Sequence, residues 1–175
     1  MNKLIAIALL LLFSTQTMAQ DTASNSLGNV IDRFYKALSE SDSAKRATIL
    51  GEIMAPGADI TSVIHNNGYA SATKGSVTQF MSNTRNFYRD FRVSYAEIER
   101  EAEYYLDLAS VHGICTQNLN ELATQKHYSQ DLWMQLDCAF VGIEWKIVSA
   151  TWTNQFGQYS IDNALLQDTL WHMEK

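Results

Sequence analysis

Residues 130–155, QDLWMQLDCAFVGIEWKIVSATWTNQ, alternate in polarity over almost their whole length. Leu132, Met134, Leu136, Cys138 and Phe140 alternate with Asp131, Trp133, Gln135, Asp137 and Ala139. Beyond Val141-Gly142, Trp145, Ile147, Ser149, Thr151 and Thr153 alternate with Lys146, Val148, Ala150, Trp152 and Asn154. A period of two marks strands with one buried face, so the stretch predicts a β-hairpin. A turn that sets Phe140 opposite Trp145 also sets Cys138 opposite Ile147, Leu136 opposite Ser149 and Met134 opposite Thr151. Cross-strand partners share a face. That face is apolar near the turn and gains hydroxyls farther along, which suits a core or a pocket wall. The other face carries Trp133, Gln135, Asp137 and Trp152, and its tryptophan pair predicts a subunit contact.

The first nineteen residues read as a segment removed before folding. Lys3 precedes the apolar run 4–13, and the small residues Thr17 and Ala19 stand at a cleavage point. This is the pattern of a secretory signal peptide, and its apolar run is too short to cross a bilayer. Export to the periplasm or beyond is therefore expected, with no membrane attachment after cleavage. The remainder is 175 − 19 = 156 residues, enough for one domain with a core. Because the segment carries only Lys3, the net charge moves from −6 to −7. An acidic chain without a basic run is a poor partner for nucleic acid or an anionic membrane. Cys115 and Cys138 could pair in an oxidising compartment. The strand reading instead places Cys115 opposite about residue 129, about 30 Å of strand from Cys138. Two buried free thiols are expected. No His/Cys spacing motif, glycine-rich phosphate loop or Gly-x-Ser-x-Gly elbow occurs, so neither a metal nor a cofactor is expected.

Upstream, Leu27, Val30, Ile31, Phe34 and Leu38 form the stripe of an amphipathic helix after a polar lead-in over 20–26. Asp42 or Ser43 can cap a second helix with Ala47, Ile49, Leu50, Ile53 and Met54, ended by Pro56-Gly57. Residues 58–65 predict a strand, and Asn67-Gly68 a hairpin turn into 69–74. Ser76 and Gln79 form a capping box that opens a helix bearing Val77, Phe80, Met81, Thr84, Phe87 and Tyr88. Strands follow over 92–104 and 108–118. Along the first of these, Glu97, Glu99, Glu101 and Glu103 would line one solvated face. Residues 157–175 predict a C-terminal helical extension with Ile161, Leu165, Leu166, Leu170 and Met173. The order predicts an α+β fold, a curved antiparallel sheet wrapped around helices.

The segments VIDRFYKALSESD (30–42), MAPGADI (54–60), KGSVTQFM (74–81) and FVGIEWKIVSATW (140–152), in this order, resemble the nuclear transport factor 2-like superfamily. Within it they look like the SnoaL-like and ketosteroid isomerase-like proteins. The resemblance spans about residues 27–155, within a domain taken as 27–156. It implies a cone-shaped α+β barrel with an internal pocket and frequent dimerisation through the sheet. The isomerase pattern places its oxyanion tyrosine on Phe34, its base on Ser62 and its second oxyanion acid on Leu136. None of the three can do that chemistry.

Two readings follow. In the first, the protein is a non-catalytic exported cone that binds a small apolar ligand, or simply forms a homodimer. Phe34, Ser62, Met134, Leu136, Ser149 and Thr151 would line the pocket, with Trp133 and Trp152 on the dimer face. In the second, the resemblance implies a SnoaL-like lyase or isomerase acting on a hydrophobic carbonyl compound, with Tyr35, Asp59 or His112 transferring the proton. His112 faces inward only if Leu108, Ser110 and Ile114 do. The rival inward set is Ala109, Val111, Gly113 and Cys115.

Overall fold

Leucine, isoleucine and phenylalanine at helical spacing form α1 over residues 27–39, which buries Leu27, Ile31, Phe34 and Leu38 almost completely. The computed structural model describes residues 27–66 and 69–154. The expected signal peptide, lead-in over 20–26, turn at Asn67-Gly68 and C-terminal helix lie outside the described residues. Asp42 caps α2 (Ser43–Ile53) by accepting the backbone N–H of Ala44 and Lys45, as its sequence position predicts. The buried stripe of α2 is Arg46, Leu50 and Ile53, whereas Ala47 faces solvent. Arg46 is 1% exposed. Its guanidinium lies 3.5 Å from the Tyr88 ring centroid, and it donates to the Glu40 carbonyl and the Met81 thioether. Tyr88 in turn donates to the Leu38 carbonyl at 2.6 Å. A cation is tolerable in such a place when a π face and carbonyls replace its water.

The remaining elements are β1 (Met54–Asn66), β2 (Tyr69–Ser76), α3 (Val77–Asn83), α4 (Arg85–Asp90), β3 (Phe91–Tyr105), β4 (Leu108–Glu121), β5 (His127–Val141) and β6 (Glu144–Thr153). They form one six-stranded sheet in the order β2-β1-β6-β5-β4-β3, with β2 and β3 as its free edges. The fold is α+β with a curved, unclosed sheet. It is not wholly antiparallel, because β1 runs parallel to β6. Four strands and two helices separate β1 from β6 in the chain, so no hairpin dictates their relative direction. Asn154, 1% exposed, closes this junction by accepting the His65 N–H at 2.8 Å and donating to the His65 carbonyl at 3.2 Å.

The turn after Val141 uses Gly142 at φ +69°, a conformation glycine adopts without steric cost. Pairing then proceeds as the alternation predicts for Phe140 with Trp145 and Cys138 with Ile147. There the register shifts. Asp137 pairs with Ser149, Leu136 with Ala150, Gln135 with Thr151 and Met134 with Trp152. Val148 is the additional residue, and a bulge of one residue reverses the facing of every side chain beyond it. Ser149 and Thr151 therefore leave the inner face, while Trp152 joins it at 8% exposure. Two other irregularities act alike. Pro56-Gly57 lies within β1, where the register slips between Met54 and Asp59, instead of preceding the strand. Ile98 is the additional residue of β3, so Glu97 pairs with inward Cys115 while Glu99 pairs with outward Ile114. The four glutamates do not share a face.

α1 and α2 cover one half of the inner face and form a closed core with Val111, Cys115, Met134, Leu136, Cys138 and Ile147. Cys115 pairs with Leu132, closer to Cys138 than residue 129 but still six residues along β5 from it, about 20 Å at strand spacing. That exceeds the ~7 Å reach of a disulfide between Cα atoms. Both thiols are free, and burial pushes each up to about 12.

The bulge makes the second half of β6 testable. Trp152→Ala, which empties an inward site, is expected to cost about 3–5 kcal/mol in urea unfolding. Thr151→Ala on the outer face is expected to stay within about 0.5 kcal/mol. A larger loss for Thr151→Ala than for Trp152→Ala would restore the unbulged register.

Candidate functional site

The other half of the inner face is covered by α3 and α4, and it is not filled. Ser76 and Gln79 make the capping box that starts α3, with the Ser76 N–H donating to Gln79 Oε1 at 2.9 Å and the Gln79 N–H donating to Ser76 Oγ at 3.3 Å. A side chain on Gly75 would meet Gln79 Oε1 at 2.9 Å and displace the glutamine that completes the box. The helical stripe continues to Tyr88 but does not form one helix. At Thr84 the backbone leaves helical geometry (φ −89°, ψ 2°), and its hydroxyl donates to the Phe80 carbonyl at 2.8 Å. Threonine side chains compete for helix carbonyls in this way. The break separates α3 from α4 and leaves Asn83 and Thr84 facing the space beneath them.

That space is a cavity of ≈ 300 Å³. Its apolar wall is Ile60, Ile64, Phe80, Phe87, Leu132 and Trp152, with Phe80 edge-on to Trp152 at 5.8 Å between centroids. Ser62, Thr73, Asn83 and Thr84 add small polar groups. Tyr88, Tyr95, Gln117 and Gln130 complete the lining. The last three are directly opposite one another on adjacent strands, since Tyr95 pairs with Gln117 and Gln117 with Gln130. Gln130 Nε2 donates to Gln117 Oε1 at 2.7 Å, and Gln117 Nε2 donates to the Tyr95 hydroxyl at 2.5 Å. Gln130 Oε1 is buried with no partner.

Among the described residues that line the cavity, none is Asp, Glu, Lys, Arg or His. The two phenols are its ionisable groups. Burial raises both above their ordinary value of 10.0, Tyr95 further through Tyr88 beside it, while Arg46 behind the ring pulls Tyr88 partly back. Both are neutral at physiological pH. The lining can bind and orient an uncharged molecule, but it holds no base for a proton at neutral pH.

The residues singled out from sequence separate into several places. Ser62 is on the cavity wall. Phe34, Met134 and Leu136 are in the closed core at 0–1% exposure, outside the cavity lining. Ser149 and Thr151 face outward because of the Val148 bulge. Trp133 is on the outer face stacked on His112, with centroids 5.8 Å apart, whereas Trp152 is part of the cavity. The inward set on β4 is Ala109, Val111, Gly113 and Cys115, so His112 faces outward. Asp59 is also outward. It pairs with Lys74 at 2.6 Å, and Lys74 followed by the Ser149 hydroxyl holds its carboxyl below the usual range. Tyr35 is 8% exposed in the core, its hydroxyl close against Gly113, and burial followed by Cys115 raises its pKa. Asp59 on β1 and His112 on β4 are three strands apart, about 14 Å at sheet spacing. The three catalytic candidates do not converge on a common space.

Tyr95, Gln117, Gln130 and Phe80 were not among the sequence candidates for a site. Parity carries the missing signal: Gln117 shares the inward parity of Val111 and Cys115, and Gln130 that of Leu132 and Met134. Two glutamines inside apolar alternations are polar groups aimed at an interior.

No family model matches the chain, and no curated protein matches it. Solved structures do. One from Kribbella flavida superposes with a TM-score of 0.63 at 11% identity, covering 85% of this chain and 99% of that one. An NTF2-like protein with a cystatin-like fold from Novosphingobium aromaticivorans gives 0.60 at 13% identity, covering 87% and 94%. An NTF2-like protein from Streptomyces avermitilis, named a candidate dehydratase, gives 0.56 at 14%, covering 79% and 99%. The likeness is one of fold.

The buried phenols generate a pH dependence. Tyr35, Tyr88 and Tyr95 hold their protons more tightly folded than unfolded, so their stabilising contribution is complete below about pH 10 and is lost as pH rises toward their folded values. The urea midpoint is expected to fall between about pH 8 and about pH 11, and to fall less steeply in Tyr95→Phe. An equal slope in that variant would remove Tyr95 from the account.

Proposed function

We propose that this nuclear transport factor 2-like cone is an exported, non-catalytic module that holds a small, uncharged, largely apolar ligand between its sheet and α3–α4. The observation that carries the reading is the cavity of ≈ 300 Å³, apolar on most sides and, among the described residues of its lining, without a charged group or imidazole. Its size is at the lower end of ligand sites, about 300–1,000 Å³. Desolvating an ion there would cost several kcal/mol with no opposite charge to offset it, which favours neutral molecules. The N-terminal pattern of Lys3, an apolar run and Ala19 supports export. A homodimer through the outer face of the sheet is part of the same reading, with the Trp133–His112 stack as its apolar centre.

A lyase or isomerase would need a group that takes a proton beside the ligand. Asp59 and His112 are on the opposite face of the sheet, and Tyr35 is sealed between α1 and β4.

Titration with prodan, a neutral naphthyl ketone whose emission shifts to the blue in apolar surroundings, tests the reading. The wild-type protein is expected to give a saturable blue shift. Ser62→Phe, which fills the cavity from its wall, is expected to abolish it while leaving the circular dichroism spectrum unchanged. An equal shift in both proteins would place the dye elsewhere and count against the cavity.

A further inference from the structure

We infer that the Tyr95–Gln117–Gln130 row is the recognition element of the cavity, and that it reverses polarity to bind one oxygen of a neutral ligand as either a hydroxyl or a ketone. The inference rests on the ligand-holding reading above and adds the chemistry of the ligand to it.

The row is built on three adjacent strands with each member directly opposite the next, so the sheet itself sets the spacing. In one polarity Gln130 donates to Gln117 and Gln117 donates to Tyr95. Gln130 Oε1 is then an acceptor without a donor. A buried acceptor left unpaired carries a desolvation cost, which a ligand hydroxyl donating to it would remove.

An amide has nearly the same shape after a half-turn that exchanges its oxygen and nitrogen. If both glutamines turn, the Tyr95 hydroxyl donates to Gln117 Oε1 and Gln117 Nε2 donates to Gln130 Oε1. The free group at the end of the row is then the Gln130 amide N–H, a donor suited to a carbonyl oxygen. Every link of the row remains hydrogen-bonded in either polarity. Tyr95 can complete both because its phenol stays protonated and serves as donor or acceptor. A carboxylate gains nothing comparable, since no described residue of the lining is a cation. The ligand class is therefore a compact apolar alcohol, phenol or ketone, including both members of an alcohol–ketone pair.

Isothermal titration of the full chain with naphthalene, naphthol and methyl naphthyl ketone tests this. Naphthol and the ketone are each expected to bind about tenfold more tightly than naphthalene, the worth of one well-made hydrogen bond. Gln130→Leu is expected to remove both advantages, so that the three probes bind it with equal affinity. Gln117→Glu, assayed at a pH high enough to ionise its carboxylate so that it accepts from both neighbours, is expected to fix Gln130 Oε1 as the free group, retaining the preference for naphthol and losing that for the ketone. Equal affinity of all three probes in the wild-type protein would overturn the inference while leaving the cavity reading intact. A preference for only one of the two oxygenated probes would overturn the reversal. Failure of all three to bind would remove the ligand-holding reading, and the row's role with it.

Discussion

One additional residue in β6, Val148, decides which side chains meet inside this protein. Without it Thr151 would stand opposite Met134, and Trp152 would face outward like Trp133. With it Met134 meets Trp152, and the indole becomes a wall of the cavity, edge-on to Phe80. The outer face receives Ser149 and Thr151 instead. There Ser149 hydrogen-bonds Asp59, while Ser110 donates to Asp137 at 2.9 Å. Strand geometry gives such a shift its reach, because side chains alternate strictly and one insertion reverses all those that follow.

The inner face has two halves. Under α1 and α2 it is packed with apolar side chains and two buried thiols. Under α3 and α4 it is open, because two short helices broken at Thr84 do not fill the width of the sheet. Arg46 joins the two halves. Its guanidinium rests on the Tyr88 ring, and Tyr88 both anchors α4 to the end of α1 and lines the cavity. The buried cation contributes to the framework through neutral partners, so the cavity keeps a lining without formal charge.

Much of the fold was legible in the sequence, for reasons that are local. The Asp42 cap, the Ser76–Gln79 box and the turn at Gly142 each depend on residues within four positions of one another. The α+β fold expected from the order of elements is shared with the solved structures on which the chain superposes. What alternation could not convey was where it is interrupted. Val148 and Ile98 resemble ordinary strand residues, so Ser149, Thr151 and Trp152 were placed on the wrong faces and Glu97 was grouped with Glu99. Arg46 was hidden by its charge, which argues against burial unless the Tyr88 ring 42 residues later is known to receive it. The Tyr95–Gln117–Gln130 row was hidden differently. Its members lie on three strands and become neighbours only through register.

The central claim is that the open half of the cone holds a neutral ligand. Native mass spectrometry of the protein purified from its native host tests this most directly. The account predicts a reproducible excess mass on the wild-type protein that is absent from Ser62→Phe produced in the same way. An adduct of equal mass and occupancy on both proteins, or none on the wild type, would contradict it.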